Sequence, residues 1–93
     1  MPRPCKKRKV RSRPNSNYFK PAGIPMSELK EIELTLEEFE SLKLIDVKMS
    51  SQSEAAEKME VSQPSFSRTL QSARRKLSEA IINGKAIKIE RKN

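Results

Sequence analysis

Apolar residues recur along this chain with two periods. In residues 35–47, Phe39, Leu42, Leu44 and Ile45 follow helical spacing. In 52–59, Ala55, Ala56 and Met59 do the same, and in 63–83 Phe66, Thr69, Leu70, Ala73, Leu77, Ala80 and Ile81 trace one buried face. Residues 31–34 (EIEL) and 86–90 (AIKIE) instead alternate, which is the period of a strand. The pattern predicts three helices and two short strands. The strands are expected to pair as a small ribbon with Ile32, Leu34, Ile87 and Ile89 toward the core, and with Glu31 or Glu33 opposite Lys85 or Lys88.

Local chemistry marks where these elements start and stop. Thr35 with Glu38, and Ser51 with Glu54, are capping boxes. Ser62 caps the third helix, Pro64 falls in its first turn, where a missing N–H costs little, and Asn83-Gly84 stops it. Lys48 to Ser50 form a polar break, and Met26 to Lys30 suggest a short helical turn. YFKPAGIP at 18–25 reads as an irregular strap, with Tyr18, Phe19 and Ile24 available to dock on a core. Residues 1–17 carry three prolines, many charges and almost nothing apolar, so they are expected to be a disordered basic arm ahead of a domain at 18–93. No internal repeat is present.

The stretch QSEAAEKMEVSQPSFSRTLQ at 52–71 has the spacing of a helix-turn-helix. Ala55 and Ala56 permit close helix approach, Met59 closes the first helix, Val61 buries the corner, and Phe66 and Leu70 pin the second helix. Gln63, Ser65, Ser67, Arg68, Gln71, Arg74 and Arg75 then point outward. Short polar groups followed by Arg and Gln suit the edges of bases in a DNA major groove, and serines at a helix start suit phosphate. On this reading Arg68, Gln71 and Gln63 read bases, while Arg74, Arg75 and Lys76 meet phosphates. Glu60 stands at the turn position where such motifs usually have Gly, a site of positive φ, at a strain cost on the order of 1 kcal/mol. Thr69 is a milder departure at an inward position.

Composition narrows the function classes. The chain has 93 residues, an apolar fraction of 34% and a charged fraction of 34%, against norms of about 45–50% and about 25%. It lacks His and Trp and has one cysteine, Cys5. That excludes an intrachain disulfide and a multi-cysteine metal site, and removes the commonest general base, so neither an enzyme nor a cofactor is expected. No apolar run approaches a membrane span, and the cationic N-terminus lacks the apolar core of a signal peptide, so neither a membrane span nor export is expected. The net charge of +8 is unevenly placed: residues 1–20 carry +8, residues 21–60 carry −6 and residues 61–93 carry +6. Two basic blocks around an acidic middle suit a chain that turns one face to a polyanion. The arm at 3–13, with Lys6, Lys7, Arg8 and Lys9 at its centre, would add affinity along the DNA backbone or in a minor groove rather than sequence choice.

Several motifs together carry a resemblance. They are MPRP with its Lys/Arg cluster, YFKPAGIP, the LT-x-x-E-x-E helix start, S-x-x-EAAEKM-x-VS-x-x-SF-x-R, the long basic helix and NGKAI-x-IE. Over nearly its whole length the chain resembles a family of small prokaryotic proteins of uncertain function, predicted to bind DNA through a helix-turn-helix like that of sigma-factor region 4. The resemblance implies a mainly α fold with a three-helix core and a small two-stranded ribbon. It also implies a cytoplasmic regulator of transcription, with Gln63, Ser65, Ser67 and Arg68 in the recognition helix. Glu60 in place of Gly and a single N-terminal cysteine depart from the pattern. The additional C-terminal domain of some relatives is missing here, so no ligand-sensing module is expected. The partner expected first is double-stranded DNA; the sequence leaves the oligomeric state open, with a two-fold homodimer through helix 63–83 or the ribbon edge as one option that would aid the stability of so small a core. The rival is a protein-interaction module of the transcription machinery, using the helix-turn-helix and an acidic face of Glu37, Glu38, Glu40, Glu54 and Glu57. A nuclear import signal in PCKKRKV is disfavoured by the prokaryotic resemblance. RNA binding is disfavoured because no aromatic platform stands on a sheet.

Overall fold

A computed structural model describes residue 10 and residues 14–91. Strand β1 is Tyr18–Phe19, followed by a 3-10 turn at Met26–Glu28 and strand β2 at Glu31–Leu34. Helix α1, Leu36–Leu42, runs on into a π-helical turn at Lys43–Val47. Helix α2 is Gln52–Met59, helix α3 is Gln63–Asn83, and strand β3 is Ala86–Ile89. The molecule is therefore mainly helical, with a small sheet.

Each helix begins as its sequence dictates. The Thr35 hydroxyl accepts from the Glu38 amide at 3.1 Å, and the Glu38 carboxylate accepts from the Thr35 amide at 2.9 Å. Ser51 and Glu54 repeat this arrangement at α2, and the Ser62 hydroxyl accepts from the Ser65 amide at 3.2 Å. Gly84 ends α3 in the left-handed region at φ 68°. The first helical segment differs from expectation in its second half. The Lys48 amide donates to the Lys43 carbonyl at 2.8 Å, a five-residue step that widens the helix into a π turn. Met49 then takes φ 61°, a left-handed residue with no Gly or Asn to announce it.

The sheet corrects the expected ribbon. It has three strands in the order β1-β3-β2, with β3 antiparallel to β1 and parallel to β2. A parallel pair needs a long crossover, and the three helices supply it. Tyr18 and Phe19 were expected to dock on the core as a strap. They instead pair with Lys88 and Ile87, Phe19 stays exposed, and the sheet contacts begin at the Asn17 carbonyl, which accepts from Ile89. Leu34 and Ile89 are buried as predicted, whereas Ile32 and Ile87 are half-buried. Glu33 lies opposite Lys88 in register, but Lys85 pairs with Glu79 at 2.6 Å and Glu31 accepts from the Tyr18 hydroxyl at 2.7 Å.

Two apolar clusters hold the helices. Leu44, Ala55, Ala56, Met59, Phe66 and Leu70 form one, closed by Ile45, Val61 and the half-buried Val10. Leu34, Ala73 and Ile89 form the other, and Leu42 packs against both. Ile81, expected inward, is 75% exposed. At about 100° per residue it has drifted toward the side on which Leu70 meets α2, but α2 packs only near the start of α3.

Candidate nucleic-acid interface

The α2–α3 corner is rigid for identifiable reasons. Ala55 and Ala56 are buried and bring the helices close, and Met59 and Phe66 are each 1% exposed. Glu60 makes the corner at φ 60°, ψ 45°, the left-handed conformation expected for this position. Its amide bonds back to the Glu57 carbonyl, and the Val61 amide to that of Ala56. Thr69 is half-buried, as a polar side chain at the margin of the packed face would be.

This corner sorts the predicted site residues into two groups. Gln63, Arg68, Gln71 and Arg75 are exposed along one outer stripe of α3, and Ser65 and Ser67 are half-buried beside it. Arg68 has no ion pair among the described residues. Arg75 lies four residues before Glu79, whose carboxyl is held below its ordinary value mainly by Lys85. Arg74, although exposed, is committed elsewhere. Its Nε and Nη2 reach the Asp46 carboxylate at 3.2 and 2.6 Å, which lowers the Asp46 carboxyl and raises the guanidinium.

Lys76 is also drawn inward. It donates to the Glu38 carboxylate and to the Glu33 carbonyl, each at 2.8 Å. Glu38 further accepts from the Ser72 hydroxyl. Burial pushes the Glu38 carboxyl up, but Lys76, Ser72 and the Thr35 amide outweigh it and hold the carboxyl below its ordinary value. One capping carboxylate therefore ties the start of α1 to the middle of α3. Neither this knot nor the Arg74–Asp46 pair has a local sequence signal, because the partners lie 28 to 38 residues apart.

The expected acidic face is only partly present. Glu38 and Glu40 are buried, Glu37 is half-buried, and Glu54 and Glu57 are exposed. Glu37, Glu38, Ser65, Arg68 and Ser72 instead line a polar groove of about 320 Å³ between the start of α1 and α3. Lys6, Lys7, Arg8 and Lys9, like Cys5, lie outside the described residues. Val10, their neighbour in sequence, packs against the cluster that contains the corner residues Met59, Val61 and Phe66. Among the described residues no group of three His, Cys, Asp or Glu side chains could hold a metal ion, and no helix is long and apolar enough to cross a membrane.

Comparison with known proteins gives the chain a family but no structural counterpart. No solved structure matches the chain. It is 53% identical over 90 residues to UPF0251 protein TTE1845 of Caldanaerobacter subterraneus subsp. tengcongensis, covering 97% of this chain and 76% of the relative. A UPF0251 protein of Halothermothrix orenii is 49% identical over 90 residues, covering 97% of this chain and 67% of the relative. UPF0251 protein DehaBAV1_0135 of Dehalococcoides mccartyi is also 49% identical, with 97% and 77% covered. Residues 1–92 match the family described as "Protein of unknown function DUF134", and the chain belongs to that family.

Proposed function

We propose that this chain binds double-stranded DNA sequence-specifically and regulates transcription, using α2 and α3 as a helix-turn-helix of the sigma region 4 kind. The observation that carries the reading is the outer stripe of Gln63, Arg68 and Gln71 on the first half of α3, exposed to solvent and held by a close-packed corner. An α-helix fits the major groove, where Arg and Gln side chains distinguish base pairs by their donor and acceptor patterns. Arg68 is the principal base reader because no carboxylate among the described residues holds it. Gln71 and Gln63 flank it, Ser65 and Ser67 approach the backbone, and Arg75 neutralises phosphate.

Arg74 has a lesser role than its place on the helix suggests, since DNA must compete with Asp46 for it. Lys76 has none, being engaged with Glu38 and the Glu33 carbonyl. The arm, through Lys6 to Lys9, supplies affinity that does not depend on sequence. Val10, next to that basic run in sequence, packs against the cluster at the corner. The rival reading as a protein-interaction module has lost two carboxylates of its acidic face to the interior.

Selection of the full chain against a random duplex pool at near-physiological salt tests the proposal. Enrichment of a short motif is the expected result. Retention of duplexes without any enriched motif would overturn it.

A further inference from the structure

The first turn of α1 is fastened on both sides of Glu37. The Leu36 amide donates to the Glu90 carboxylate at 2.9 Å, and Glu38 accepts from Ser72 and Lys76 on α3. The capping box with Thr35 holds the same turn from within. Glu37 is thereby set at a fixed place beside α3, where it lines the polar groove together with Ser65, Arg68 and Ser72. The charges of this groove are not all satisfied. Glu38 is buried and paired with Lys76. Glu37 is half-buried and makes no ion pair among the described residues. Arg68 is the cation among the residues that line the groove, and it makes none either.

Opposite charges that share an open groove stay apart for a physical reason. In water their attraction is weak, and holding a long arginine side chain in one geometry costs rotamer entropy. A duplex laid on α3 changes both terms. It displaces water from the groove, which strengthens the attraction, and it already confines the arginine. Partial burial of the unpaired Glu37 carboxylate is a cost to the free chain, and pairing with Arg68 on DNA would offset it.

We infer that Glu37 is a positioning residue for Arg68: on DNA its carboxylate accepts from the edge of the guanidinium turned away from the base, and so fixes the fork on one base edge. The inference rests on the DNA-binding reading. A guanidinium has five donors in a rigid fork, so two can reach O6 and N7 of a guanine while others remain for a carboxylate. Without that tether the side chain is free to swing to neighbouring phosphates, which every sequence offers. The Glu37 charge also disfavours phosphate in the groove, so it acts against wrong duplexes as well as for the right one. Glu37 therefore raises sequence choice while lowering affinity for DNA in general.

The test compares the full chain with Glu37→Gln, Arg68→Ala and the double variant. Gln keeps the shape of the side chain and leaves the Thr35–Glu38 capping box in place. A motif is selected from the random duplex pool with the unaltered chain. Each protein is then titrated on that duplex, on duplexes changed at one base pair each, and on a scrambled duplex. The base pair at which Arg68→Ala relaxes the preference is the one Arg68 reads. Glu37→Gln is expected to lose roughly tenfold in discrimination at that base pair and to keep it at every other. It is also expected to bind the scrambled duplex roughly two- to threefold more tightly. In the Arg68→Ala background the same substitution is expected to leave discrimination unchanged. Full discrimination in Glu37→Gln, or equal weakening on all duplexes as a structural role would give, would overturn the inference and leave the DNA-binding reading intact. A changed preference at a different base pair would do the same, by making Glu37 a base reader in its own right. Absence of any enriched motif overturns the DNA-binding reading and this inference with it.

Discussion

Arg68 and Arg74 stand six residues apart on one helix, both exposed, and the fold gives them different fates. Arg68 faces solvent at the rim of a polar groove, whereas Arg74 is held at two points by Asp46. Two residues further on, Lys76 is folded back onto Glu38 and the Glu33 carbonyl. The charge of α3 is therefore not one cationic surface. Its first half presents side chains, and its middle fastens the helix to α1 and to β2. Formal charge counts all these groups alike, but only unpaired cations are offered to a polyanion without a competing carboxylate.

The largest expected effect concerns what both groups depend on. Phe66 is 1% exposed and pins the corner. Phe66→Ala should lower the unfolding free energy by about 3–5 kcal/mol, read by chemical denaturation. A loss below about 1 kcal/mol would show that other contacts orient α3.

The contrast itself is sharpened by DNA titration. Arg68→Ala should cost about 1–3 kcal/mol on the selected motif and relax the preference for one base. Arg74→Ala should cost much less. Asp46→Asn, which frees Arg74, should strengthen binding to all duplexes and steepen its salt dependence. Equal losses from the two arginine variants would break the contrast.

The fastening role predicts a pH dependence. The Glu38 carboxyl lies below its ordinary value in the folded chain, so the unfolded chain takes up its proton first as pH falls. The stability it contributes should be complete above the ordinary carboxylate range and disappear as pH drops through the lowered value. Glu38→Gln should destabilise the chain at neutral pH by on the order of 1–2 kcal/mol and flatten this acid limb. Melting temperatures measured from pH 7 to pH 3 provide the check, and an unchanged acid limb in Glu38→Gln would assign the dependence to other carboxyls.

Smaller effects follow from strain and from exposed charge. Glu60→Gly should stabilise the chain by about 1 kcal/mol, because glycine enters the left-handed region without the cost a side chain incurs. A destabilised variant would mean that the Glu60 side chain contributes more than the strain removes. For stability, as opposed to DNA binding, Arg74→Ala should leave the denaturation midpoint nearly unchanged, since the pair is half in water.

Much of the fold was written locally. Capping chemistry acts over three or four residues, so Thr35 with Glu38, Ser51 with Glu54, Ser62 and Gly84 marked helix ends that the structure reproduces. The corner was legible for the same reason, including positive φ at Glu60. The π turn at Lys43–Val47 and the left-handed Met49 were not legible, because no residue type there prefers those conformations.

The sequence by itself determined the helices, their caps, the buried face around Phe66 and Leu70, and the polar stripe from Gln63 to Gln71. Periodicity and capping are properties of neighbouring residues. Only the tertiary structure decided that β2 and β3 run parallel with Tyr18–Phe19 as a third strand, since alternation says which face a residue takes but not what lies beside it. Only packing decided that Ile81 stays in solvent. And only the meeting of segments 28 to 38 residues apart decided which cations of α3 are free, because an ion pair forms where the fold brings its two charges together.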